Sequence, residues 1–132
     1  MAQAVAWDCT LTVATLMLRF VILEHDHPAL HWDLMLEIDG VLKTWRLSVP
    51  PPDDPREAVA IGDHRLEYLD YEGPVSGNRG TVKRWDAGMY EASHETSADW
   101  TLELHGTRWQ GTLTLQWLEG SRWSVYCTPD RS

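Results

Sequence analysis

Three side chains near the start of the patterned part of this chain, His25, His31 and Asp33, have the types and spacing of a metal site. His31 and Asp33 stand two apart, so on a strand they leave the same face. His25 precedes the turn-like Asp26-His27-Pro28-Ala29, which can fold it back towards them. Two imidazoles and a carboxylate are a common ligand set for a divalent metal that keeps open positions for substrate. Taken alone, His25 reads as an ordinary structural or surface histidine; beside His31 and Asp33 it reads as a ligand. His27, next to a proline, reads as a loop residue and an alternative ligand. His64 and Tyr68 are a second pair, four apart, and an even separation on a strand returns both to one face.

The elements that must position these groups are mostly strands. Residues 19–24 and 31–38 alternate as strands around the 26–29 connection, and Asp39-Gly40 is a hairpin turn into a strand at 41–47. The proline-rich stretch 50–55 reads as a loop, because proline cannot donate in a central strand. Residues 56–61 fit either a short helix or an extended crossover. Further strands are expected at 64–71, 80–85, 88–92, 99–104, 109–118 and 121–127, with turns at 105–107 and 119–121. The fold class is therefore mainly all-β, a compact closed or partly open barrel of about eight short strands. Closure would protect the strand edges and give the metal cluster an inner face.

Composition bounds the answer. A chain of 132 residues is most economically one domain, and the patterning places it at 17–132, with residues 1–16 as a loosely held or non-native extension. Eight tryptophans are heavy usage, and in strand-like segments they read as barrel lining. Cys9 and Cys127 share no metal spacing and do not make a disulfide framework, which fits a reducing cytoplasm. The apolar run at 9–18 is too short to span a bilayer and lacks the flanks of a signal peptide. A formal net charge of −9 argues against broad binding to a nucleic-acid backbone, while leaving room for one phosphate held by a metal and a few local cations.

With those residues in view, the chain resembles the 3′-phosphoesterase domain of bacterial and archaeal DNA ligase D across residues 19–127. The first block runs from Phe20-Val21 through Glu37 and continues as Asp39-Gly40-Val41-Leu42-Lys43-Thr44-Trp45. The second is Asp63-His64-Arg65-Leu66-Glu67-Tyr68-Leu69-Asp70-Tyr71-Glu72-Gly73, and the third is Gly80-Thr81-Val82 with Trp85-Asp86-Ala87-Gly88. Ordered blocks are far more specific than an isolated histidine pair. The compact chain looks like a stand-alone module of that kind.

The resemblance implies a β-barrel enzyme that uses manganese or a related divalent metal to trim DNA 3′ ends. Such enzymes remove a terminal ribonucleoside and then the remaining 3′-phosphate. By position it makes His25, His31 and Asp33 the metal ligands, and His64 and Tyr68 the second active-site pair. Zinc, cobalt and iron suit the same ligands. The implied partners are DNA 3′ ends, on a primer–template or nicked duplex, and a separate DNA ligase or end-binding protein in cytoplasmic repair.

The chain departs from that pattern at Met35, where the family usually has arginine two positions after the metal-binding aspartate. A thioether cannot replace a bidentate phosphate clamp. Leu23 stands where glutamine is common, and Val49-Pro50-Pro51 replaces an expected basic residue. Arg46, Arg65, Arg79 and Lys83 remain as sources of positive charge. Arg79 is the most attractive, in a glycine-flexible loop between Asn78 and Gly80, with Arg46 beside it as a phosphate-binding candidate. Asp70 and Glu72 fit either a second acidic metal site or turn chemistry. Two other functions stay open: a catalytically weakened module that binds DNA ends or a repair partner, and a phosphoesterase for a small nucleotide.

Overall fold

In the computed structural model, residues 17–50 and 55–129 are described. The expected extension at 1–16, Cys9 and the middle of the proline-rich loop lie outside them. Nine strands follow in chain order: β1 (Leu18–His25), β2 (His31–Ile38), β3 (Val41–Leu47), β4 (Arg56–His64), β5 (Gly73–Pro74), β6 (Thr81–Glu95), β7 (Asp99–Gly106), β8 (Gln110–Glu119) and β9 (Arg122–Pro129). A 3-10 helix at Leu66–Leu69 lies between β4 and β5. The long strands run β1-β2-β3-β4-β9-β8-β7-β6, and β6 pairs back onto β1, so an eight-stranded antiparallel barrel closes on itself. Closure leaves no long edge among these strands, as the sequence led us to expect.

Eight strands enclose only enough room for side chains, and aromatics fill it. Trp45 meets Trp100 and Trp123 edge-on, with ring centroids 5.6 Å apart in each case, amid Phe20, Leu34, Leu102 and Val125. Tyr90 is buried among them and donates its hydroxyl to the Glu37 carbonyl at 2.7 Å. Trp117 is the exception among the expected lining residues: it is exposed near the β8–β9 turn, where its indole donates to the Gly120 carbonyl.

A second apolar cluster forms outside the barrel wall. Val21, Leu23, Met35, Leu42 and Val82 point outward and are covered by Leu69, Tyr68 and Val75 from the segment after β4. Arg19 fastens that segment by donating to both carboxylate oxygens of Asp70, and these hydrogen bonds hold the Asp70 carboxyl below the usual range. Glu72 accepts the Arg84 backbone N–H at 2.6 Å. Asp70 and Glu72 are thus tied into the wall and do not form an acidic metal site.

Three local expectations change. Residues 56–61 are strand β4, because pairing with β3 and β9 overrides the helix preference of an Arg-Glu-Ala run. Residues 64–71 are not a strand, since the chain leaves the barrel at His64 and turns into the 3-10 helix. The strands expected at 80–85 and 88–92 are one strand, β6. Its pairing with β1 slips between Ile22 and Leu23, opposite Asp86 and Arg84, leaving Trp85 as the extra residue of a bulge. The bulge reverses the alternation, so Val82 faces the outer cluster while Tyr90 faces the interior.

Candidate functional site

The candidate metal cluster lies on the outer face of the wall, not the inner one. Phe20, Ile22, Trp32 and Leu34 fill the interior, which forces the intervening His25, His31 and Asp33 to the other side. His25 and His31 are direct partners across the β1–β2 hairpin, and their ring centroids are 4.8 Å apart. One donor atom from each of His25, His31 and Asp33 falls within 4.8 Å of the others. Among the described residues this is the one group of three or more such donors that converge.

Hydrogen bonds fix which atoms are free. The His31 Nδ1–H donates to the Ala29 carbonyl at 2.8 Å, leaving the Nε2 lone pair bare and buried. That atom faces Asp33 Oδ2 at 3.4 Å without a hydrogen bond between them. The two atoms are matched only when a cation, a proton on Nε2 or a metal ion, lies between them. The His25 Nε2–H donates to the Arg79 carbonyl at 2.7 Å, so Nδ1 is its free donor atom. Backbone carbonyls that orient imidazoles in this way are typical partners of metal-binding histidines. The residues present therefore fit a divalent ion.

The hairpin loop is held by a second element. Asp26 Oδ1 accepts the Thr81 N–H at 2.8 Å. Gly80 makes this possible: its φ is +79°, and a Cβ there would lie 2.3 Å from Asp26 Oδ1. The Gly80-Thr81-Val82 motif thus holds the loop that carries His25, and Arg79 contributes its carbonyl from the preceding position.

His64 and Tyr68 do come together, by a route other than a shared strand. His64 ends β4 and Tyr68 sits one turn later in the 3-10 helix, with their rings edge-on at 5.8 Å. Thr44 on β3, missed in the sequence, orients the imidazole. Its hydroxyl donates to the Leu42 carbonyl at 3.0 Å and must therefore accept from His64 Nδ1–H, also at 3.0 Å. Nε2 is the ring nitrogen not committed to Thr44. The outward alternation of Thr44 with Arg46 was the one sequence signal that could have found it. Thr44→Val should lower turnover about tenfold, equivalent to roughly 1.4 kcal/mol for one hydrogen bond. Thr44→Ser should restore it, in a rate assay on a 3′-phosphorylated oligonucleotide.

One cavity of about 370 Å³ joins these groups. His25, Asp33, His64 and Tyr68 line it, as do Arg46, Arg79 and Met35, whereas His31 does not. Arg46 is the cross-strand neighbour of Asp33 and donates Nε–H to its Oδ1 at 3.2 Å. The Arg79 guanidinium turns back to Ser76, donating to its carbonyl at 2.7 Å and its hydroxyl at 3.2 Å. Arg65 pairs with Glu67 and Lys83 with Glu24, and neither lines this cavity. Met35 is packed in the outer apolar cluster.

A closed antiparallel barrel with an imidazole–carboxylate cluster and a histidine–tyrosine pair on its outer wall defines a compact candidate metalloenzyme domain. Comparison with known families makes this specific: the chain belongs to the DNA ligase D 3′-phosphoesterase domain family, which it matches over residues 23–117. It is 40% identical over 83 residues to the multifunctional non-homologous end joining protein LigD of Pseudomonas aeruginosa, covering 58% of this chain and 10% of that protein. It is 37% identical over 117 residues to the multifunctional non-homologous end joining DNA repair protein LigD of Mycobacterium tuberculosis H37Rv, covering 81% and 15% respectively. The Mycolicibacterium smegmatis LigD aligns over 130 residues at 30% identity, or 86% of this chain and 17% of that protein. The chain thus spans only a small part of the length of these relatives. No helix among the described residues is long and apolar enough to cross a membrane.

Proposed function

We propose that this chain is a metal-dependent phosphoesterase that clears DNA 3′ ends, removing a 3′-phosphate or a 3′-terminal ribonucleotide before ligation. The observation that carries the reading is the buried His31 Nε2, facing Asp33 Oδ2 without a hydrogen bond, beside a cavity shared with His64 and Tyr68. Family membership supports a DNA-end substrate in end joining; the cytoplasmic setting and a ligase or end-binding protein as partner belong to the same proposal.

His25 Nδ1, His31 Nε2 and Asp33 would hold the ion, with manganese our first choice and zinc, cobalt and iron alternatives. A divalent ion there supplies Lewis-acid polarisation of a non-bridging phosphate oxygen. Arg46 neutralises a second oxygen from the neighbouring strand, taking the part that Met35 cannot. Arg79 contributes mainly through the carbonyl that orients His25. His64 exchanges a proton with the departing oxygen through Nε2. The Tyr68 hydroxyl orients the phosphate.

The test is conversion of a labelled primer–template, ending in one ribonucleotide or a 3′-phosphate, to a 3′-hydroxyl. It should require divalent metal and stop with chelator. Arg46→Ala should slow it by roughly 10²-fold, the cost of losing one charged donor to the transition state, whereas Arg79→Ala should cost much less. A folded, metal-loaded protein that converts neither end would overturn the enzyme reading. It would favour a weakened end-binding module, the reading that the apolar packing of Met35 supports.

A further inference from the structure

A second, open groove adjoins the cavity, and nothing in the proposed chemistry uses it. It has a volume of about 510 Å³, within the rough 300–1,000 Å³ range of small-molecule sites. Pro28 and Arg46 line both spaces, and His31 lines the groove as well. The groove continues over Leu30, Ser48 and Val59.

Its layout follows from strand register. Asp33 on β2 is opposite Arg46 on β3, and Arg46 is opposite Val59 on β4. A row of carboxylate, guanidinium and apolar side chain thus crosses three strands on the outer face. Two strand spacings of about 4.8 Å put Val59 roughly 10 Å from Asp33, backbone to backbone. That matches the reach from a phosphate to the sugar and base attached to it. Leu30 is 53% exposed and Val59 40%, although both are large apolar residues beside a polar site. Glu57, the acidic group on the groove, is drawn to Arg122, which donates to both of its carboxylate oxygens and is shared with Glu119.

We propose that this groove is a nucleoside subsite, in which Leu30 and Val59 contact the nucleoside joined to the reacting phosphate while Arg46 spans the junction. The proposal rests on the phosphoesterase reading above. It makes a free phosphate ester a poorer substrate than a nucleotide for reasons separate from the metal and from His64. Apolar contact is also the recognition that Leu30 and Val59 can offer beside Arg46.

The test compares two probes by methyl and amide NMR of the full chain, inorganic phosphate and a 3′-phosphorylated dinucleotide. Both should move signals of the cavity residues His64 and Tyr68, and only the dinucleotide should move the Leu30 and Val59 methyls. Val59→Asp should then raise KM for a 3′-phosphorylated oligonucleotide about tenfold, about 1.4 kcal/mol, with kcat and thermal midpoint little changed. Cavity signals that respond while Leu30 and Val59 stay still would overturn the subsite and leave the phosphoesterase reading standing. A dinucleotide that disturbs neither place would overturn both.

Discussion

Asp33→Asn is expected to abolish divalent-metal binding while leaving the metal-free protein as stable as the wild type or more so. The amide keeps an oxygen to accept from Arg46 Nε and gains an N–H aimed at His31 Nε2, the buried atom that has no hydrogen bond in the wild type. With His31 neutral, removing the repulsion between two buried acceptors without changing volume favours the folded state. The metal response separates the two proteins. An ion at 100 times its dissociation constant should stabilise the wild type by about 2.7 kcal/mol and the variant not at all. His31→Ala should lose the ion as well, but at a cost in stability, because it opens a gap beside the hairpin. In either variant 3′-end conversion should fall by roughly 10²–10³-fold, the scale of losing the main charge-stabilising element of a transition state. Calorimetric titration with manganese, chelated melting curves and the end-conversion assay read these outcomes separately. An Asp33→Asn variant that bound manganese like the wild type would remove the His25–His31–Asp33 cluster as the metal centre.

The donor set of that cluster was legible in the sequence because a two-residue spacing on a strand and a five-residue hairpin connection are local facts. The side of the wall it occupies was not. Phe20 and Ile22 face the barrel interior while Val21 and Leu23 face the outer cluster, so β1 is apolar on both sides and its alternation gives no direction. Only the segment after β4, folding back over the wall, decides which side is which. The same segment explains His64 and Tyr68. Their proximity was expected from strand parity, but it arises because the chain leaves β4 and turns within one 3-10 step. Thr44 was harder to see, since its bond to His64 depends on an irregular β3–β4 register with a shift between Leu42 and Thr44. The barrel itself was visible, as turn residues recur at short spacing; the single long β6 was not, because the Trp85 bulge bends the strand without ending it.

The Trp85-Asp86-Ala87-Gly88 motif can be assigned a structural task, and it predicts the largest loss of stability in the molecule. Asp86 is buried, and its Oδ1 accepts backbone N–H groups from Ala87 at 2.8 Å, Thr107 at 3.0 Å and Arg108 at 2.9 Å. Its Oδ2 accepts a fourth from Trp109 at 2.8 Å. The carboxylate is therefore the main side-chain anchor of the β7–β8 turn, beside the backbone bond from Gly106 N–H to the Trp109 carbonyl at 2.9 Å. Glycines complete the joint: a Cβ at Gly106 would lie 2.3 Å from Asp86 Oδ2, and one at Gly88 would lie 2.1 Å from the His105 carbonyl oxygen. Asp86→Ala removes an acceptor from four N–H groups, of which Thr107 keeps the Ala87 carbonyl at 3.3 Å, and should cost about 3–5 kcal/mol, the range for breaking a buried charged network. The melting temperature should drop by roughly 10–20 °C for a domain of this size. Asp86→Asn should fall between the two. Its remaining oxygen can keep the three bonds at Oδ1, while its NH2 group opposes the Trp109 donor. Urea unfolding of the three proteins measures this order directly. An alanine variant within about 1 kcal/mol of the wild type would mean that the turn finds other partners for its N–H groups. Metal affinity in the folded fraction should be unchanged in both variants, because the ligands sit on β1 and β2 and their orienting carbonyls come from Ala29 and Arg79. That separation would mark residues 85–88 as a structural joint, distinct from the first motif, to which we assign the metal.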